Sequence, residues 1–181
     1  MVGAVLAAWP AHAALPVEYP SLVAAFSKAC LEGPLTVDAR DAAIAASGWR
    51  TDTASDVDVS GLAKSQAIEV NFDYSKPESV KQWSQTIDGA RVRLVLATFP
   101  PKRRYPVICA VVVPGVRGAM PYFDEFRTAV RATGLKPKST DMPHYLEFSG
   151  KVDGTHPVRA EIFSRSRSVP DKDGMHLYVA F

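Results

Sequence analysis

Three histidines, His144, His156 and His176, fall in the last third of the chain, and imidazole is the commonest metal ligand. A metal centre would need three or four side chains converging within roughly 2–2.5 Å of one ion. The spacing works against it. Asp153-Gly154 is a turn signal, which sets His156 at the turn end of a hairpin and His144 near the opposite end of its strand, at about 3.3 Å per residue. His176 falls opposite the stretch Arg165 to Arg167, farther along again. With no H-E-x-x-H, C-x-x-C or carboxylate-rich loop in the sequence, the three are expected to be structural or surface histidines, with no metal.

Nucleophilic chemistry is equally poorly provided for. There is no G-x-S-x-G and no S-x-x-K, and Ser79 and Lys81, two apart, lack the latter spacing. The two cysteines, Cys30 and Cys109, both stand in apolar runs, which do not activate a thiol. Pro114-Gly115-Val-Arg-Gly118 lies between a strand and a helix but lacks the glycine spacing of a phosphate loop, so no nucleotide cofactor is expected.

The arginines fall into a pattern. Arg91 and Arg93 alternate on one strand, Arg159, Arg165 and Arg167 share a face of another, Arg103 and Arg104 stand in a turn, and Arg117 precedes a helix. If helices cover one face of a sheet, these residues would stand on the open face and offer a surface to an anionic ligand or partner. The plainer reading is a solvated outer face with Glu147 and Glu161 interspersed. No row of aromatics accompanies the cations, and the net charge of +2 is too small for a nucleic-acid binder.

These residues need elements to hold them. The chain opens with a short apolar core from Val2 to Trp9, broken by Pro10 and followed by Ala11-His12-Ala13, the pattern of a secretory signal peptide cleaved after Ala13. It lacks a basic residue before the core and is too short to span a bilayer, and no other stretch reaches about 20 apolar residues. Two cysteines in an exported chain point to one disulfide, Cys30–Cys109.

Residues 14–181 are expected to form a single α+β domain. A helix is expected from Tyr19 to Glu32, with Leu22, Val23, Phe26, Ala29 and Cys30 on its buried stripe, and a second from Asp38 to Ser47 with Asp38 as its cap. Trp49 follows Gly48 as a core anchor, and residues 50–79 form a poorly defined, loop-rich segment. Strands are then expected over Lys81–Ile87 and Ala90–Phe99, joined by Asp88-Gly89, and over the β-branched run ending at Pro114. A helix from about Pro121 to Thr133 leads to strands over His144–Ser149, Pro157–Arg167 and Met175–Phe181. The expected fold is a largely antiparallel sheet of about six strands with two or three helices on one face, in the order αα-βββ-α-βββ. The helix-plus-three-strands unit occurs twice, without a residue-by-residue match between its copies.

Together these observations point to a small exported, periplasmic or secreted, non-enzymatic domain. It would bind an unknown protein or an envelope component through an open sheet face, with no cofactor, no nucleic acid and no transmembrane segment in the mature chain. The alternatives are a hydrolase-like enzyme with a loop-borne site, and an inhibitor or immunity-type partner of a secreted enzyme.

Overall fold

The structure is a computed structural model and describes residues 17–53, 76–114, 116, 118–138, 145–152, 154–164 and 174–181. The expected signal peptide, most of the loop-rich segment after Thr53, and His144, Arg117, Arg165 and Arg167 lie outside the described residues.

Helix α1 spans Leu22–Phe26 and continues through a π-helical turn, Ser27–Leu31; α2 spans Val37–Ala46. Strands β1 (Arg50–Thr51), β2 (Ser79–Ile87), β3 (Ala90–Thr98) and β4 (Val107–Pro114) follow. A 3₁₀ turn, Met120–Tyr122, then opens α3 (Phe123–Arg131), which leads to β5 (Lys136–Pro137), β6 (Tyr145–Val152), β7 (His156–Ser164) and β8 (Gly174–Ala180). All eight strands form one antiparallel sheet in the order β1-β2-β3-β4-β8-β7-β6-β5. The fold class is the expected α+β, but the sheet has eight strands rather than about six. The element order also departs from αα-βββ-α-βββ, because a two-residue strand stands after each of α2 and α3. Neither short strand carries an alternation long enough to be read from sequence.

The register resolves the two copies of the unit. Gly48-Trp49-Arg50-Thr51 after α2 corresponds to Gly134-Leu135-Lys136-Pro137 after α3. Both glycines have positive φ, and Trp49 and Leu135 are both buried. Arg50 pairs with Ser84, which pairs with Arg93; Lys136 pairs with Ser149, which pairs with Arg159. Beyond them Val112 corresponds to Ala180 and Ile108 to His176, so an approximate two-fold axis passes through the Ala110–Tyr178 pair at the β4–β8 seam.

The helices pack on one face. From α1 and its π-helical turn come Leu22, Val23, Phe26 and Ala29, from α2 Ile44, and from α3 Phe123, Phe126 and Val130. They meet Val92, Leu94 and Leu96 of β3, Val111 of β4, Phe148 of β6, Ile162 of β7 and Leu177 and Val179 of β8. Phe26, Phe126 and Phe148 form a chain of ring contacts at 5.8 and 6.1 Å from α1 through α3 to the sheet. Such pairs add about 0.5–1.5 kcal/mol each beyond the area they bury.

Cys30 and Cys109 are joined, with Cα atoms 5.6 Å apart and both residues fully buried. The bond fixes the π-helical turn to the central strand β4. The far end of α1 is held by Arg40, whose guanidinium donates to the carbonyls of Ala29, Glu32 and Pro34. Its near end is held by Asp88, whose carboxylate accepts from the backbone N–H and hydroxyl of Ser21 at 2.7 and 3.0 Å. The cap of α2 is Thr36, whose hydroxyl accepts from Ala39 N–H, rather than the expected Asp38, which falls in the first turn.

Candidate functional site

The second sheet face carries Arg91, Arg93 and Arg159; Arg93 and Arg159 are largely covered there, while Arg91 remains exposed. Val95, Ala97, Ile108, Ala110, Tyr178 and Ala180 occupy the middle of this face, all but fully buried, with Phe99, Tyr105 and Phe163 beside them. Arg91 and Arg93, two apart on β3, converge on the buried Asp52, the residue that follows β1. Arg91 Nη2 lies 3.0 and 2.8 Å from the two carboxylate oxygens, and Arg93 Nε lies 3.9 Å from Oδ2.

Arg159, the β7 counterpart of Arg93, stands among carboxylates. Its Nε lies 3.2 Å from Glu147 Oε1 and also meets Glu161, while its Nη2 donates to Tyr145 at 3.1 Å. Glu147 additionally accepts from the Tyr145 hydroxyl at 2.7 Å and pairs with Lys138 Nζ at 2.7 Å. Glu147 and Glu161 are direct cross-strand partners, so both carboxylates leave the same face of adjacent strands.

The two glutamates titrate in opposite directions. Burial pushes the Glu161 carboxyl above the usual carboxylate range, and Arg159 offsets this only in part. Burial also acts on Glu147, but hydrogen bonds from Lys138 and Tyr145 and the charge of Arg159 outweigh it and hold the carboxyl below that range. Burial works against the Arg159 charge too, yet Tyr178, Glu161, Tyr145 and Glu147 together hold the proton more tightly. The Tyr145 phenol is pushed up by burial and by its bond to Glu147.

Arg93 and Arg159 are three strands apart, roughly 14 Å at about 4.8 Å per strand. Arg104 is exposed, with its guanidinium 5.3 Å from the Tyr105 ring centre, and Arg103 lies in the same turn. The expected cationic surface is therefore divided, among the described residues, into two ion clusters and a turn. His156 stands at the turn end of its hairpin as expected, while His176 pairs with Phe163 and stacks on its ring at 4.8 Å.

The sequence did not single out Asp52, Lys138 or Tyr145. A signal for the glutamate pair exists, since Tyr145 and Glu147 alternate on one strand and Arg159 and Glu161 on the next. It depends on a three-residue connection, because Val152 pairs with His156; a two-residue Asp-Gly turn would set Glu147 opposite Ala160.

A cleft lies on the helix side at the end of the sheet where β4 and β7 begin and β6 and β8 end. Its volume is about 590 Å³, and its walls are Gly33–Thr36, Pro106, Val107, Val152, His156, Val158 and Phe181. A second cleft of about 360 Å³ adjoins it, sharing Gly33, Leu35 and Val152 and running between the π-helical turn at Ser27 and Leu31 and the end of α3 at Ala129, Ala132 and Thr133. The larger falls within the size range of small-molecule sites. Among the described residues no group of three or more metal-ligating side chains converges, and no helix is long and apolar enough to cross a membrane.

Comparison with known protein families, characterised proteins and solved structures finds no match to this chain.

Proposed function

We propose that this chain is an exported, non-enzymatic binding domain that takes up a protein segment or an envelope component in the cleft at the end of its sheet. The observation that carries the reading is the cleft itself, an apolar depression that draws on both layers and is continuous with a second one. The buried Cys30–Cys109 bond supports export, because structural disulfides persist in oxidising compartments. The site moves from the sheet face to the cleft because Arg93 and Arg159 are engaged by Asp52, Glu147 and Glu161.

Two measurements test it. Intact mass of protein from fractionated host cells should give a chain beginning at Ala14 that takes up alkylating label only after reduction. A photo-crosslinking amino acid placed at the half-buried Val152 or the exposed Ala132 should capture a cellular component, while one at the exposed Lys136 should not. Free thiols on a full-length chain would overturn export, and equal capture from all three positions would overturn the cleft.

The Glu147–Glu161 pair favours a second reading, an acid–base enzyme, since paired carboxylates with opposed shifts serve as base and acid in such sites. Buried ion networks produce the same shifts without catalysis. Glu161→Gln separates the two, because an enzyme would lose turnover of its substrate while a structural network would change only in stability.

A further inference from the structure

From the chemistry of its walls we infer that the cleft takes a single aliphatic chain with an anionic head, as in a long-chain fatty acid, rather than a peptide; this rests on the cleft being the binding site. A peptide brings a backbone donor and acceptor at every residue, and each must find a partner when buried. Part of the wall backbone is already committed. The Pro34 carbonyl already accepts from Thr36 N–H and from Arg40, and the Glu32 carbonyl accepts from Arg40. The Pro106 carbonyl accepts from Phe99 N–H at 2.7 Å, and Val107 and Phe181 exchange both their backbone bonds at 2.9 and 3.0 Å. Pro34 and Pro106 have no N–H at all. At this end β4, β7 and β8 are interior to the sheet and offer a peptide no edge to extend, while β6 is flanked by β5 only at Phe148 and Ser149.

What the walls do present is aliphatic. Leu35 and Val152 are common to both clefts, so they join Val107, Val158 and Phe181 on one side to Leu31, Ala129 and Ala132 on the other. A methylene chain lies along such a trough without leaving any polar group unmet. The two ends differ in the polar group they present. The exposed His156 stands in the larger cleft with its Nδ1 bonded to Thr155, which leaves Nε2 to meet a ligand, whereas Glu32 lines the smaller cleft. A carboxylate head is favoured at His156 and repelled at Glu32, which orients the chain with its tail toward Ala132.

The test is calorimetric titration of the delipidated, disulfide-intact protein with dodecanoate, decanoate, dodecanol and the peptide N-acetyl-Leu-Leu-Leu-amide. Dodecanoate is expected to bind saturably at one site. Decanoate should bind roughly tenfold more weakly, the effect of two fewer buried methylenes, and the peptide should not compete. Val152→Trp, which fills the junction at a half-buried position, should weaken dodecanoate at least tenfold without moving the unfolding midpoint; Leu35→Glu provides a second, electrostatic block. His156→Ala should weaken dodecanoate several-fold and leave dodecanol unchanged. Binding that is indifferent to chain length or to Val152→Trp would overturn the inference, as would a peptide that competes as well as the fatty acid. If the fatty acid fails while Val152 still cross-links a cellular protein, the inference falls and the cleft stands as a protein site; if neither binds, both fall.

Discussion

Arg40 is almost completely buried, and it spends its charge on backbone. Its guanidinium donates to the carbonyls of Ala29, Glu32 and Pro34, groups left over where the first helix ends, and a cation there is favoured by the helix dipole. Burial lowers its pKa, with Glu32 acting in the opposite direction. Arg40→Met should cost about 2–4 kcal/mol in urea unfolding, because it removes charged donors and leaves buried carbonyls unmet. Arg40→Lys should lie between the two, since an ammonium keeps the charge but loses the fork. The glutamate pair gives a prediction of opposite slopes. Glu161 has a raised folded-state pKa, so its contribution to stability is present in acid and is lost as pH rises through that pKa. Glu147 has a lowered one, so its contribution is present at neutral pH and is lost as pH falls through it. Relative to wild type, Glu161→Gln should therefore gain stability from pH 4 to 7 and Glu147→Gln should lose it, as measured by chemical denaturation across that range.

Among the elements, the Cys30–Cys109 bond and the β2–β3 hairpin are the pieces most legible in the sequence, and both are as expected. The bond closes a separation of 79 residues, and the chain-entropy account gives it about 4–5 kcal/mol. Cys30→Ala with Cys109→Ala should lose stability of that order or somewhat more, since removing the two sulfurs also leaves small gaps between the π-helical turn and β4. In the hairpin, Asp88 and Gly89 both have positive φ, the geometry a tight two-residue turn requires. A Cβ at Gly89 would meet no atom within 4 Å, so Gly89→Ala isolates the backbone term and should cost about 1–2 kcal/mol. The second hairpin was harder to read. Its Asp153-Gly154 signal is the same, but its connection has three residues, and only the paired strands decide that count.

For the molecule as a whole, the order of strands predicts a gradient of stability. β4 and β8 lie at the centre with both neighbours paired and carry the disulfide and the approximate two-fold axis. β1 and β5, two residues each, end the sheet on its two sides, and short edge strands of this kind limit edge-to-edge association. Native-state hydrogen exchange should find the amides of Cys109–Val111 and Leu177–Val179 slowest and those of Arg50, Thr51 and Lys136 among the fastest. A uniform rate across the sheet would contradict this layout.

Local chemistry was enough to determine the fold class, the Cys30–Cys109 pairing, the Asp88-Gly89 turn and the core face of the first helix. Each depends on residues a few positions apart or, for the disulfide, on there being two cysteines to pair. The tertiary structure alone decided the fate of the arginines and the place of the cleft. Whether Arg93 and Arg159 meet water or a carboxylate depends on Asp52, Glu147 and Glu161, which reach them by strand register and burial rather than by spacing in the chain. The cleft likewise gathers Leu35, Val107, Val152 and Phe181 from four separate parts of the sequence, and only the packing of the helices across one end of the sheet brings them together.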